Sequence, residues 1–162
     1  MNRRDLLHGS VAATLFSLLP NAARKKEGPI ATTVESRTVS VRINRPLQSA
    51  YDFLALPSNW NTWAAGLGKS IRRAGDEWVA ESQDGQLKVR FTPRNAFGVL
   101  DHYVKRSSGA EIYVPMRLLA NGTGSELLFT LFREPSQSDE RLAADLEFVQ
   151  KDLKVLKAAL EE

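Results

Sequence analysis

The sequence predicts one α+β domain in which an antiparallel sheet packs against a long C-terminal helix. Its 162 residues are enough to bury one sizeable core. Two features carry the prediction: alternating apolar residues interrupted by three hairpin-type turns, and a closing apolar stripe at helical spacing. The predicted order is a strand, two short helices, about six antiparallel strands and the final helix.

The first elements follow from alternation and from two prolines. Residues 39–43 alternate apolar and polar, which is typical of a half-buried strand. Pro46 suits the first position of a helix, and Pro57 ends that helix and can open a second one. The second short helix carries Trp60 and Trp63. The apolar stripe of the first helix consists of Leu47, Ala50, Tyr51 and Leu54.

The dipeptide Asp84-Gly85 is typical of a two-residue hairpin turn. A turn there places Glu81 opposite Lys88 and sorts the side chains onto two faces. A one-residue slip would move the apolar side chains to the solvent face, so the separation into an apolar and a polar face supports this register. The apolar face then consists of Trp78, Ala80, Ser82, Leu87, Val89 and Phe91.

A second hairpin is predicted at Asn121-Gly122. A two-residue loop puts Met116 opposite Leu127, and a four-residue loop would keep the same faces. Pro115 falls within the first of these strands, where it removes a ladder donor. We therefore expect a bulge or a locally unpaired edge at this proline.

The Ser-Ser-Gly tripeptide at residues 107–109 suits a three-residue hairpin with glycine in the left-handed position. This loop pairs His102 with Val114. A two- or four-residue loop would instead turn Asp101 and Tyr103 inward. We favour the three-residue loop because it exposes Asp101, and burying an unpaired carboxylate is costly. The apolar face then holds Leu100, His102 and Val104.

The chain ends in a long predicted helix over residues 138–160. Ser136 or Ser138 can cap its first turn, where Asp139 and Glu140 suit the positive end of the helix dipole. One stripe at helical spacing faces the core. It consists of Leu142, Leu146, Val149, Leu153, Leu156 and Leu160.

This order of elements resembles the START-like superfamily (SRPBCC), also called the polyketide cyclase/dehydrase and lipid-transport superfamily. The resemblance rests on residues 39–46, Tyr-Asp-Phe-Leu at 51–54, Asn-Trp-Asn-Thr-Trp at 59–63 and the closing helix. It covers residues 37–160, and we assign residues 37–162 to a START-like ligand-binding domain. The resemblance implies a helix-grip fold, in which a curved antiparallel sheet wraps the last helix and leaves a hydrophobic cavity.

Composition excludes several classes of function. The formal charge of +3 is mild and no long basic stripe is present, so no nucleic-acid partner is expected. The chain has no cysteine, which excludes disulfides and thiol nucleophiles. With two histidines and no paired spacing, a zinc or iron centre is not predicted. We expect no cofactor.

The candidate site centres on His102, which lies within residues 97–106 on the predicted apolar face. It could act as a general acid/base, orient a ligand, or be a satisfied core histidine. Trp60 and Trp63 could border the cavity mouth or simply pack the short helix. The predicted ligand-binding residues are Trp60, Trp63, Trp78, Val89, Phe91, Leu100, His102, Val114, Met116, Phe129, Leu142 and Leu146.

Three classes of function fit these residues. The favoured one is a non-catalytic carrier or binder of a small hydrophobic molecule, such as a lipid, isoprenoid or aromatic compound. The alternative is a cyclase- or dehydratase-like enzyme that uses His102 to move a proton. The third is a protein-interaction module. START-like members include carriers, receptors, chaperone activators and cyclases, and no catalytic motif of theirs is recognisable here. The cavity volume discriminates among the three classes, because a filled interior would exclude both ligand-binding functions and leave the interaction module.

The first 23 residues resemble a twin-arginine export signal. Arg3 and Arg4 precede an apolar run at residues 10–19, which is too short for a stable membrane span. Residues 19–23 would be the processing region, and residues 24–36 form a linker. The alternative is an N-terminal tail on a cytoplasmic protein.

We predict that Arg3 and Arg4 direct export of the folded chain. Replacing both with lysine, which keeps the charge, should hold the protein in the cytoplasm. The measurement is cell fractionation with immunoblotting of the precursor and processed forms. An unaltered protein that is never processed and leaves periplasmic fractions empty would contradict the prediction.

Overall fold

The computed structural model describes residues 31–67, 70–75, 77–82 and 85–162. Within it, Thr33–Glu162 form one compact unit. The predicted signal at residues 1–23 and most of the predicted linker lie outside the described residues. Export therefore stays a prediction.

The α+β order is confirmed. The strands are β1 Ser36–Ile43, β2 Ile71–Ala74, β3 Glu77–Ser82, β4 Gly85–Phe91, β5 His102–Lys105, β6 Glu111–Val114, β7 Met116–Asn121 and β8 Gly124–Phe132. The α-helices are α1 Leu47–Leu54 and α2 Asp139–Glu161, and two short 3₁₀ helices span Pro57–Thr62 and Ala65–Leu67. The curved antiparallel sheet, the short helices after β1 and the closing helix make a helix-grip fold.

The strands form two antiparallel ladders that meet at Pro115. One ladder has the order β2-β3-β4-β5-β6, and the other has the order β1-β8-β7. Pro115 lies between β6 and β7, and Thr130 donates its backbone N–H to the Pro115 carbonyl at 3.0 Å. Because proline cannot return the second bond of such a pair, the chain changes partner here. The predicted interruption at Pro115 is confirmed.

The hairpin between β5 and β6 has the predicted register. His102 lies opposite Val114, and Tyr103 lies opposite Tyr113. Gly109 has a φ of 91°, the left-handed conformation that the three-residue loop requires. His102 therefore lies on the inner face.

The predicted register between β3 and β4 is wrong by two residues. Glu81 faces Gln86 rather than Lys88. Ser82 faces Gly85, and its hydroxyl donates to the Gly85 carbonyl at 2.8 Å. The pairing of the two strands is therefore centred one residue earlier in the chain than predicted. Because the shift is even, the same side chains still face inward.

The predicted register between β7 and β8 is also wrong by two residues. Met116 faces Phe129 rather than Leu127. Asn121 pairs with Gly124, so the turn lies one residue later than predicted and holds Gly122 at a φ of 60°. Gly124 also lies close to β1, where an added side chain would approach the Ile43 carbonyl oxygen at 2.6 Å. The inner and outer faces are again unchanged.

Helix α2 packs tightly at one end and loosely at the other. The Ser138 side chain accepts a hydrogen bond from the Arg141 backbone N–H at 3.2 Å, which confirms Ser138 as the cap. Leu142 is buried, whereas Leu146 and Val149 are half-buried. The C-terminal half of the stripe is fully packed, through Leu153, Leu156 and Leu160. None of the helices that the structure describes is both long and apolar enough to cross a membrane.

The solid core lies beneath the C-terminal half of α2. Its largest fully buried side chains come from β1, α1, the first 3₁₀ helix, β7, β8 and α2. They include Ile43, Leu54, Trp60, Met116, Leu118, Leu127, Leu156 and Leu160.

We predict that Leu153→Ala lowers the free energy of unfolding by about 2–5 kcal/mol, because it leaves a cavity in this packed region. Val155→Ala is the matched control on the same helix, since Val155 is 49% exposed. The control should change stability by no more than about 0.5 kcal/mol. Denaturant unfolding measures both. Equal, small effects would show that the stripe does not pack into the sheet.

Candidate functional site

A cavity of about 670 Å³ lies between the N-terminal half of α2 and the end of the sheet near the β5–β6 hairpin. Its position follows from the loose packing of that half of the helix. The sheet contributes side chains from β4, β5, β6 and β8, and the second 3₁₀ helix closes one side. The apolar lining consists of Leu67, Leu87, Val104, Ile112, Val114, Leu131, Leu142 and Val149.

The mouth of the cavity has exposed aromatic rings. Phe132 at the end of β8 is 39% exposed, and Phe148 on α2 is 45% exposed. A hydrogen bond from the Gly66 backbone N–H to the Asp152 carboxylate, at 3.2 Å, ties the second 3₁₀ helix to α2. Burial raises the pKa of Asp152, an effect that the Gly66 and Ala65 amides oppose.

Charged pairs form the rim of the cavity. Arg106 donates two hydrogen bonds to the Glu134 carboxylate, at 2.7 and 2.8 Å. Asp145 accepts a bond from the Gln137 side chain at 2.8 Å and lies 3.2 Å from Arg141 Nε. The site therefore joins an apolar interior to a polar border with both donors and acceptors.

His102 lies in the neighbouring solid core and is 2% exposed. Its ring packs against Trp60, Phe91 and Phe129, with ring centroids 4.8, 5.8 and 6.3 Å away. Nδ1 lies 3.4 Å from the Leu100 carbonyl oxygen, a long contact. Burial lowers the pKa of His102 to about 4, and the Leu100 contact opposes this shift only in part. The imidazole is therefore neutral at pH 7.

The structure divides the predicted ligand-binding residues among three regions. Val114 and Leu142 line the cavity. Leu146 lies on a separate, shallower cleft of about 300 Å³ beside Arg37. The remaining residues lie outside the cavity lining: Trp60, Trp63, Trp78, Val89, Phe91, Leu100, His102, Met116 and Phe129. Their contact with a ligand stays a prediction.

Trp60 explains why the cavity does not extend to His102. Its indole Nε1 donates to the Leu54 carbonyl at 2.8 Å, which fixes the ring in the core. The ring then occupies the space next to His102 and contacts Trp63 at a centroid distance of 4.8 Å. Both tryptophans are buried. Packing by Trp60 thus fills this half of the interior.

Several lining residues were missed from the sequence. Ile112 and Leu131 share the inward phase of their strands, so the alternation could have identified them. Phe148 lies off the apolar stripe of α2, and Arg106 and Glu134 lie in turns. No sequence pattern indicates that these three residues meet at one mouth.

The expected exposure of Asp101 is wrong, since the residue is only 8% exposed. Its carboxylate accepts bonds from the Tyr113 hydroxyl at 2.6 Å and from the Met116 backbone N–H at 2.9 Å. It also forms an ion pair with Arg117. These partners compensate for the desolvation that an unpaired carboxylate would suffer. None of these three partners of the carboxylate is His102.

Comparison with known proteins identifies the fold. No family model matches the chain, and no curated protein does. An uncharacterized protein from Bacillus thuringiensis superposes with a TM-score of 0.64 at 13% identity, covering 79% of this chain and all of the other. The Aha1 protein of Colwellia psychrerythraea, solved as a dimer, gives 0.62 at 14% identity, covering 78% and 96%. This chain shares the overall fold of these solved proteins.

The Bet v 1-like protein Ara h 8.0201 extends the comparison. It gives a TM-score of 0.55 at 12% identity and covers 78% of this chain and 98% of its own. At these identities the likeness to the solved structures establishes the fold alone. Function must therefore be argued from the cavity.

We predict that the buried neutral state of His102 makes folding stability depend on pH. Its folded pKa of about 4 lies below the unfolded value of 6.5. The unfolded chain therefore binds more protons between these values, and stability falls as pH drops from 6.5 towards 4. The full loss would be about 3 kcal/mol from this group.

The test is denaturant unfolding between pH 7 and 5 for the wild type and His102→Phe. Both proteins retain His8, so their difference isolates His102. The variant should show a shallower dependence. Equal slopes, with an imidazole titrating near 6.5, would contradict the prediction.

Proposed function

We propose that this domain binds a small hydrophobic molecule in the 670 Å³ cavity and acts as a carrier or binding protein. The cavity itself is the observation that carries the proposal. Its volume falls within the roughly 300–1,000 Å³ common for small-molecule sites. A ligand burying about 300 Å² of apolar surface would gain roughly 7 kcal/mol before ordering costs. Apolar burial is therefore the main source of affinity that this cavity offers.

The rim indicates what kind of molecule would fit. The polar group formed by Gln137, Arg141 and Asp145 lies at one border of the cavity. A ligand with an apolar body and one polar end would bury its body in the cavity and leave its polar end near these groups. Lipids, isoprenoids and substituted aromatic compounds share this property.

The enzyme alternative needs a proton-transfer group beside the ligand. His102 instead packs among aromatic rings, and only its cross-strand neighbour Val114 lines the cavity. A general acid/base must come within hydrogen-bond reach of its substrate. The geometry therefore supports the binding function, and we propose no catalytic step.

We predict that Val114→Trp weakens binding of N-phenyl-1-naphthylamine by at least about tenfold, because the indole would occupy cavity volume. Leu119→Trp is the matched control, since Leu119 on β7 is 48% exposed and lies outside the cavity lining. Fluorescence titration measures affinity, and thermal melts verify folding. Equal affinity in both folded variants and the wild type would place the probe elsewhere.

A further inference from the structure

Two neighbouring strands in the cavity wall are not joined by backbone hydrogen bonds. They are β6 and the last two residues of β8, Leu131 and Phe132, and we call the boundary between them the seam. The bond from Thr130 N–H to the Pro115 carbonyl, at 3.0 Å, is the last backbone bond before the seam. Beyond it, the described residues of β6 and β8 form no ladder.

The register shows which bonds are missing. Extending the β7–β8 ladder from Met116 opposite Phe129 would bring Tyr113 opposite Phe132. Such a pair would exchange two backbone bonds in an antiparallel sheet. Neither bond forms among the described residues. Strand β8 instead continues with β1, where Ser36 pairs with Phe132. The β5–β6 hairpin and β8 therefore separate at this point.

Side chains close the seam in place of the backbone. The rings of Tyr113 and Phe132 stack across it, with centroids 6.3 Å apart and planes inclined by 20°. Next to them, Arg106 at the end of β5 donates two hydrogen bonds to Glu134, which follows β8 in the chain. All four residues also line the cavity. The seam is thus part of the cavity wall.

The other border of the mouth is fixed more firmly. Helix α2 is anchored by its buried leucines, and the Gly66 backbone binds Asp152 on that helix. A side chain on Gly66 would lie 3.2 Å from the Phe148 ring, so the two elements are closely packed. Among the described residues, the seam is closed by a ring contact and by the bidentate pair of Arg106 with Glu134, all of them partly exposed side chains.

We propose that the seam is the portal through which ligand enters and leaves, and that the Arg106/Glu134 pair holds it closed. The proposal rests on the proposed binding function. Opening moves the β5–β6 hairpin away from β8 and breaks no backbone ladder bond. The bound ligand lies deeper, against the aliphatic lining. The pair therefore controls the rate of exchange and not the affinity.

Stopped-flow fluorescence of N-phenyl-1-naphthylamine tests the pair. Glu134→Gln should raise both the association and dissociation rates by up to about fivefold, with their ratio nearly unchanged. Glu77→Gln is the matched control, because Glu77 pairs with Lys88 at 2.7 Å on strands β3 and β4, which a backbone ladder joins. The control should leave both rates unchanged.

Covalent closure of the seam tests the portal directly. Introduced cysteines can be bridged selectively, because the chain contains no cysteine of its own. In Arg106→Cys/Glu134→Cys, a short bis-maleimide bridge should slow association and dissociation at least about tenfold compared with the unbridged variant. The control is Thr38→Cys/Thr130→Cys, whose native hydroxyl oxygens lie 2.9 Å apart on the paired strands β1 and β8. Its disulfide should leave both rates unchanged.

Bridging that leaves both rates unaltered would overturn the portal, because the probe would then pass another border. A rise in dissociation alone for Glu134→Gln would also overturn it, since Glu134 would then be a ligand contact. If wild-type protein binds no probe, the proposed function fails. Seam opening is then measured by nuclear Overhauser contacts between the Tyr113 and Phe132 rings: weaker contacts in Glu134→Gln support the moving seam, and unchanged contacts overturn it.

Discussion

Pro115 has no amide hydrogen, and the sheet divides where that donor is missing. The chain pairs with β5 before the proline and with β8 after it. The following amide, that of Met116, donates to Asp101 at 2.9 Å instead of to a strand. Asp101 also binds Tyr113 and Arg117, so the outer face at the division is held by one buried carboxylate. The seam between β6 and the end of β8 starts next to Pro115, and the cavity lies behind it.

The interior differs along the length of α2. Under its C-terminal half, Trp60, His102 and the surrounding side chains are buried and closely packed. Under its N-terminal half, Leu142 faces the open volume of 670 Å³. One helix therefore stabilises the fold at one end and borders a binding site at the other. Empty volume inside densely packed side chains lowers the free energy of unfolding. Because the cavity lies under the other half of the helix, it leaves the packed core intact.

Local patterns in the sequence predicted the elements and the faces, and contacts between distant elements account for the errors. The Ser-Ser-Gly loop correctly paired His102 with Val114. The close approach of Gly124 to Ile43 on β1 joins distant parts of the chain, and no local pattern reveals it. Likewise, the burial of Asp101 depends on Arg117, and the cavity limit depends on the position of Trp60. Alternation identifies inward residues but not which of them border empty space.

Methyl-detected NMR of a complex with N-phenyl-1-naphthylamine tests the central claim most directly, namely that the ligand occupies this cavity and not the solid core. Nuclear Overhauser contacts from the probe should reach methyl groups of Val104, Ile112 and Leu142, which line the cavity. They should be absent for Leu118 and Leu127, which are fully buried in the core. Contacts to the core pair without contacts to the cavity residues would contradict the account.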